Sequence, residues 1–230
     1  MTSFLESSLF FGAAVSLIAY EIGLLLKKKF KLAVFNPLLI AILCVMGILT
    51  VLDVDYETYN EGAKYISYLL TPATVCLAIP LYRQMHLLKK NIKAVIAGIL
   101  SGVLASMVSV LVFAKLFGLS HEEYVTLLPK SITTAIGMGV SEELGGIVTI
   151  TVAVIIITGV LGNMIAEAVY KVAKIEEPIA KGLALGTSAH AIGTAKAMEI
   201  GEVEGAMSSL AIAVAGLVTV VVSSVFAGLL

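Results

Sequence analysis

Apolar residues fall along this chain in blocks the length of a bilayer crossing. Five blocks are continuous, at 9–26, 34–52, 94–117, 146–169 and 206–230, and each approaches the roughly 20 residues an α-helix needs to traverse the hydrocarbon core. Two further blocks are apolar but broken. Residues 65–82 carry Pro72 and Pro80, and residues 182–198 carry the polar run Gly186-Thr187-Ser188-Ala189-His190-Ala191-Ile192-Gly193-Thr194. A third weak block, 124–140, holds Pro129, Lys130, Ser131, Thr133 and Thr134; it reads as a span, a half-helix or a re-entrant loop. The pattern predicts an all-α polytopic membrane protein of about seven spans, within a range of six to eight, two of them broken helices.

Charge orients these spans. Lys27, Lys28, Lys29 and Lys31 follow the first block, Arg83, Lys89, Lys90 and Lys93 precede the block at 94–117, and Lys171, Lys174 and Lys181 fall near 171–181. The alternate loops are acidic, with Asp53, Asp55, Glu57 and Glu61, then Glu122 and Glu123, then Glu199, Glu202 and Glu204. Basic loops stay cytoplasmic, which predicts an outside N-terminus and a cytoplasmic C-terminus in a cell membrane. Residues 1–10 lack Lys and Arg, so the first block is expected to persist as a span and not to serve as a signal peptide.

The two halves overlay at an offset of about 116 residues, placing 65–82 on 181–198, with Leu69-Leu70-Thr71 on Leu185-Gly186-Thr187. The charge rule sends the two broken segments in opposite directions, as an inverted repeat requires. The expected division is a first membrane repeat at 1–117 and a second at 118–230.

Composition narrows the function. Hydrophobic residues are 59% of the chain, mean hydropathy is +1.04, charged residues are 13% and net charge is −1. No large soluble domain fits, and nothing suggests nucleic-acid binding. Cys44 and Cys76 lie in apolar runs and read as core residues. There is no HExxH, GxSxG or P-loop, so no enzyme, cofactor or metal site is expected.

Polar groups at membrane depth need a reason. Thr187, His190 and Thr194 share a helical face at i, i+3, i+7. His190 is placed to bond a carboxylate or carry a proton, or else to bond a neighbouring backbone. Gly186 and Gly193 can unwind the helix and bare N–H groups to an anion, or permit close packing. Lys196 either attracts an anion or snorkels. Thr71-Pro72-Ala73-Thr74 is the partner break, and Asn36-Pro37 reads as a helix start. Lys130 flanked by Ser131, Thr133 and Thr134 suits a small carboxylate. Glu142 is either part of an external turn or a proton or cation site. The substrate-binding candidates are therefore Thr187, Ser188, His190, Gly193, Thr194, Lys130, Thr133, Thr134 and Thr74.

Three stretches resemble the LrgB/CidB family, which includes YohK-type inner-membrane proteins: 72–82, 129–146 and 180–196. The resemblance covers nearly the whole chain. It implies either transport of small 2-oxo or 2-hydroxy monocarboxylates, of the pyruvate, glycolate and glycerate class, or holin-like control of murein hydrolase activity and autolysis. Plastid relatives fuse an LrgA-like part to an LrgB-like part. Only the latter is present here, so the resemblance implies a small LrgA-type membrane partner; a homo-oligomer is also expected. Where Thr71 stands, many relatives are expected to carry glycine.

Overall fold

The computed structural model describes residues 10–30, 32 and 35–230, with Leu70 and Thr74 described by backbone alone. Leu9, Lys31 and Val34, which bear on the first two expected spans and the loop between them, lie outside the described residues. Every regular element among the described residues is helical. Four helical stretches there are long and apolar enough to cross a membrane: Tyr56–Arg83, Ile92–Phe117, Val148–Val172 and Glu202–Ala227. The all-α polytopic membrane class follows. The chain clusters into two compact units, residues 1–76 and 77–230.

The first unit contains α1 (Phe11–Phe30), α2 (Pro37–Leu52), α3 (Tyr56–Ser67) and α4 (Leu70–Cys76). Asn36 caps α2 as expected: its Oδ1 accepts from the Leu38 and Leu39 amides at 2.9 and 3.2 Å, with Pro37 opening the helix. That satisfies amides the first turn leaves free. Helix α1 packs against α2 and α3 through two glycines, Gly12 against the Tyr59 carbonyl and Gly23 against the backbone of Pro37. Ser16 and Tyr59 share a 2.7 Å hydroxyl contact across the α1–α3 pair.

The second unit holds α5 (Ala78–Arg83), α6 (Met85–Lys90), α7 (Ile92–Phe117), α8 (His121–Leu127), α9 (Thr134–Glu143), α10 (Val148–Val172), α11 (Pro178–Ile200) and α12 (Glu202–Ala227). The block at 65–82 is indeed interrupted, by turns at residues 68–69 and 77. Pro72 and Pro80 each sit in the first turn of a short helix, where no amide donor is required of them.

Helix α11 is not one helix. His190 adopts φ 43°, ψ −134°, outside helical space, and the chain reverses there. The arm at 178–189 runs antiparallel to α10: the Tyr170 hydroxyl donates to the Lys181 carbonyl at 2.7 Å, and Gly162 faces Ala189. The arm at 191–200 then returns alongside α10, with Asn163 Nδ2 donating to Ile192 O at 3.1 Å and Lys196 paired to Glu167. The break predicted for this segment is present, but it falls on the histidine and not on Gly186 or Gly193. Those glycines do packing work: Gly186 lies against the Ser208 carbonyl and Gly193 against that of Leu185.

Helices α8 and α9 form a second hairpin from the other end, so the weak block at 124–140 is not one continuous helix. Its base is held by hydroxyls. Thr126 Oγ1 accepts from the Ile147 amide at 2.8 Å, and Thr151 Oγ1 lies 2.7 Å from Ser141 Oγ and donates to the Thr126 carbonyl at 2.9 Å. The Tyr124 hydroxyl donates to Phe226 O at the close of α12, 2.9 Å away. One hairpin thus enters where α7 and α12 end, the other where they begin.

The two halves of this unit repeat. Ile92 and Val148 open α7 and α10, 56 residues apart; Thr134-Ala135-Ile136-Gly137 and His190-Ala191-Ile192-Gly193 match at the same offset, as do Gly145 and Gly201. Each copy is one long span followed by one hairpin, inserted from opposite ends. The second unit thus carries an inverted repeat at an offset of 56 residues; the 116-residue offset expected from the sequence relates other stretches, reaching into the first unit.

Candidate functional site

The hairpin tips converge on a cleft of small and apolar residues set with a few polar groups. A cavity of about 900 Å³ opens between Asn91 at the start of α7 and Glu177 before α11. From there it descends between α7 and the first arm of α11 to Lys130 and Ser131 at the tip of the α8–α9 hairpin. Its α7 wall is a stripe of small residues, Gly98, Gly102, Ala105, Ser106 and Ser109, and its α11 wall includes Leu183, Thr187 and Ser188. Beyond the floor the path is closed. Val110, Ala114, Tyr124, Val125 and Leu128 are at most 6% exposed and form one apolar cluster with the end of α12.

Lys130 is the cation at the floor. Its Nζ donates to Ser131 Oγ at 2.9 Å, and Ser131 in turn accepts from Ser106 Oγ at 3.0 Å. That hydroxyl is neutral, so a half-buried ammonium sits between membrane-spanning helices with hydroxyl company. Such a charge favours an anion. Gly102 is required here, because a Cβ would come within 2.6 Å of Thr187 Oγ1.

The expected site residues separate into two groups. Lys130, Thr187 and Ser188 line the cavity. Thr187 is buried with its hydroxyl donating to Leu183 O at 2.8 Å, and Ser188 is exposed, donating to Ala184 O at 2.6 Å. Both hydroxyls keep lone pairs free for a ligand donor, and their single protons serve the helix backbone. His190, Gly193 and Thr194 face the other way. His190 Nε2 sits 3.0 Å from Ile155 O against Gly159, which fits an N–H donating to that carbonyl. Thr194 bonds His190 O at 3.1 Å and Ser208 at 2.7 Å. Thr133 is the N-cap residue of α9 and Thr134 its first residue; both are half-buried. Thr74 falls in α4, and its side chain lies outside the described residues.

Sequence reasoning missed the α7 wall. The signal was present as Gly98, Gly102, Ser106 and Ser109 at helical spacing within an otherwise apolar span. No group of three or more His, Cys, Asp or Glu able to hold a metal occurs among the described residues.

Comparison with known proteins supplies the family. The LrgB-like family model matches residues 16–229. The antiholin-like protein LrgB of Bacillus mycoides (strain KBAB4) is 44% identical over 218 residues, covering 94% of this chain and 95% of the relative. Those of Bacillus cereus (strain B4264) and Bacillus anthracis (strain CDC 684 / NRRL 3495) match to the same extent. No solved structure matches.

Proposed function

Because the chain belongs to the LrgB-like family, we propose that it acts as an antiholin-like protein of the cell membrane, restraining murein hydrolase activity and autolysis. The shared length and identity with relatives bearing that name support this role. A small LrgA-type membrane partner and a homo-oligomeric state belong to the same proposal. So does an orientation with the Lys171 and Lys174 end in the cytoplasm and the N-terminus outside; because the block at 182–198 doubles back at His190, α12 then ends on the outer side, in place of the cytoplasmic C-terminus expected from the sequence. The role is tested by removing the chain from its cell and timing detergent-induced lysis. Faster lysis, reversed on re-expression, is expected; an unchanged rate counts against it.

A second reading concerns the means, and one observation favours it: Lys130 stands where two oppositely inserted hairpins meet, at the floor of a cleft closed beyond by a dry cluster. A bare pore has no use for a dead-end cleft with one ammonium. Transporters built from inverted repeats bind substrate at such a junction. In this reading the chain is a selective carrier of small 2-oxo or 2-hydroxy monocarboxylates, the carboxylate held by Lys130 and the hydroxyl of a 2-hydroxy acid donating to Thr187 or Ser188. Proteoliposomes test it: saturable uptake of labelled pyruvate, glycolate or glycerate is expected, with and without the LrgA-type partner compared. Release of a trapped neutral dye at the same time would favour a pore.

A further inference from the structure

A second cavity reaches Lys130 from the side. It measures about 330 Å³ and lies between α10 and the first arm of α11; Lys130, Ala184 and Ser188 line both it and the larger cleft. Its outer wall is apolar, formed by Leu161, Ile165 and Val169. These residues are 50%, 51% and 45% exposed and continue a stripe through Ile157 on the outer face of α10. The side cavity is thus walled by an exposed apolar stripe of α10, whereas the larger one is walled by small and hydroxyl residues of α7 and α11.

A three-carbon acid gains nothing from the side cavity, whereas an alkyl chain gains by leaving water for it. The ammonium at the junction selects a negative head. We propose that the Lys130 site takes a single-chain amphiphilic carboxylate, a medium-chain fatty acid, with its head on the Lys130 ammonium and its chain between Leu161, Ile165 and Val169. The proposal shares Lys130 with the carrier reading but concerns a different ligand.

The chain contains no tryptophan, so Leu161→Trp introduces a single reporter in the cavity wall. The purified protein carrying it is titrated with 11-bromoundecanoic acid and with 11-bromoundecanol. Saturable quenching by the acid is expected, with no saturable component for the alcohol. Adding Lys130→Gln should weaken the acid by about tenfold or more. Unbrominated butyrate, octanoate and undecanoate should compete with rising strength, by up to about fourfold for each methylene buried. Equal quenching by acid and alcohol, indifference to Lys130→Gln, or competition independent of chain length would each overturn the proposal. Because the assay reads binding, small-acid uptake that fails while Lys130-dependent quenching persists counts against the carrier reading alone. Uptake without such quenching counts against this inference alone.

Discussion

Gly193 lies so close to the Leu185 carbonyl oxygen, eight residues earlier, that a Cβ would come within 2.6 Å of it. At the matching position of the other hairpin, Gly137 faces the carbonyl of Pro129, again eight residues back, at 3.5 Å. A straight helix holds residues eight apart two turns away from each other. The paired contacts therefore record the same chain reversal in both copies.

Gly193→Ala should destabilise the protein by about 1–3 kcal/mol, since the added methyl meets both a backbone oxygen and the Ala189 Cβ. Gly139→Ala, where nothing lies within 4 Å, should be neutral or stabilising by up to about 1 kcal/mol. Thermal melting of both variants in detergent checks the difference. Equal melting temperatures would mean the hairpin does not close on Gly193.

His190→Ala should lower stability by about 0.5–1.5 kcal/mol through loss of the bond to Ile155 O. It should leave carboxylate affinity close to wild type, because the ring is turned away from both cavities that reach Lys130. His190→Asn should be tolerated better, asparagine accepting a positive φ more readily than alanine. Unchanged stability with lost affinity would return His190 to the binding set.

The broken helix was legible because Gly, Thr, Ser and His interrupt an otherwise apolar block, and the charge pattern separated the two ends. The location of the break was not legible. Glycine is the usual tolerant residue, yet the positive φ falls on His190, held by a carbonyl of α10 that lies 35 residues away in sequence. The 56-residue repeat between 92–143 and 148–200 leaves a short trace in the sequence, in Ala-Ile-Gly and in Gly145 and Gly201, which the longer half-chain overlay does not bring out. Lys130, Thr187 and Ser188 were named from local chemistry alone. The α7 wall was missed because small residues in a span read equally well as helix packing.

Tyr124→Phe should loosen the closed end. The phenol loses its bond to Phe226 O, at a cost of about 0.5–1.5 kcal/mol, in the cluster that blocks the way beyond Lys130. A cysteine at Ser106, in a background lacking Cys44 and Cys76, should react with a membrane-impermeant maleimide only from the Asn91–Glu177 end. With Tyr124→Phe added it should react from both. Labelling from both ends without the substitution would show that the cluster is no barrier.

Lys130→Gln should cost at least about tenfold in carboxylate affinity through loss of a charge-assisted contact. Lys130→Arg should retain part of it, since the charge persists while the compact ammonium geometry does not. Isotherms for both variants decide this; a weaker Arg than Gln would place the charge outside the site.

The most direct test of the account is uptake of labelled pyruvate, glycolate and glycerate into proteoliposomes holding a trapped neutral dye, for wild type and Lys130→Gln. Saturable uptake, abolished in the variant, with the dye retained throughout, is the predicted result. Escape of the dye, or uptake indifferent to Lys130, would contradict a selective site at the meeting point of the two hairpins.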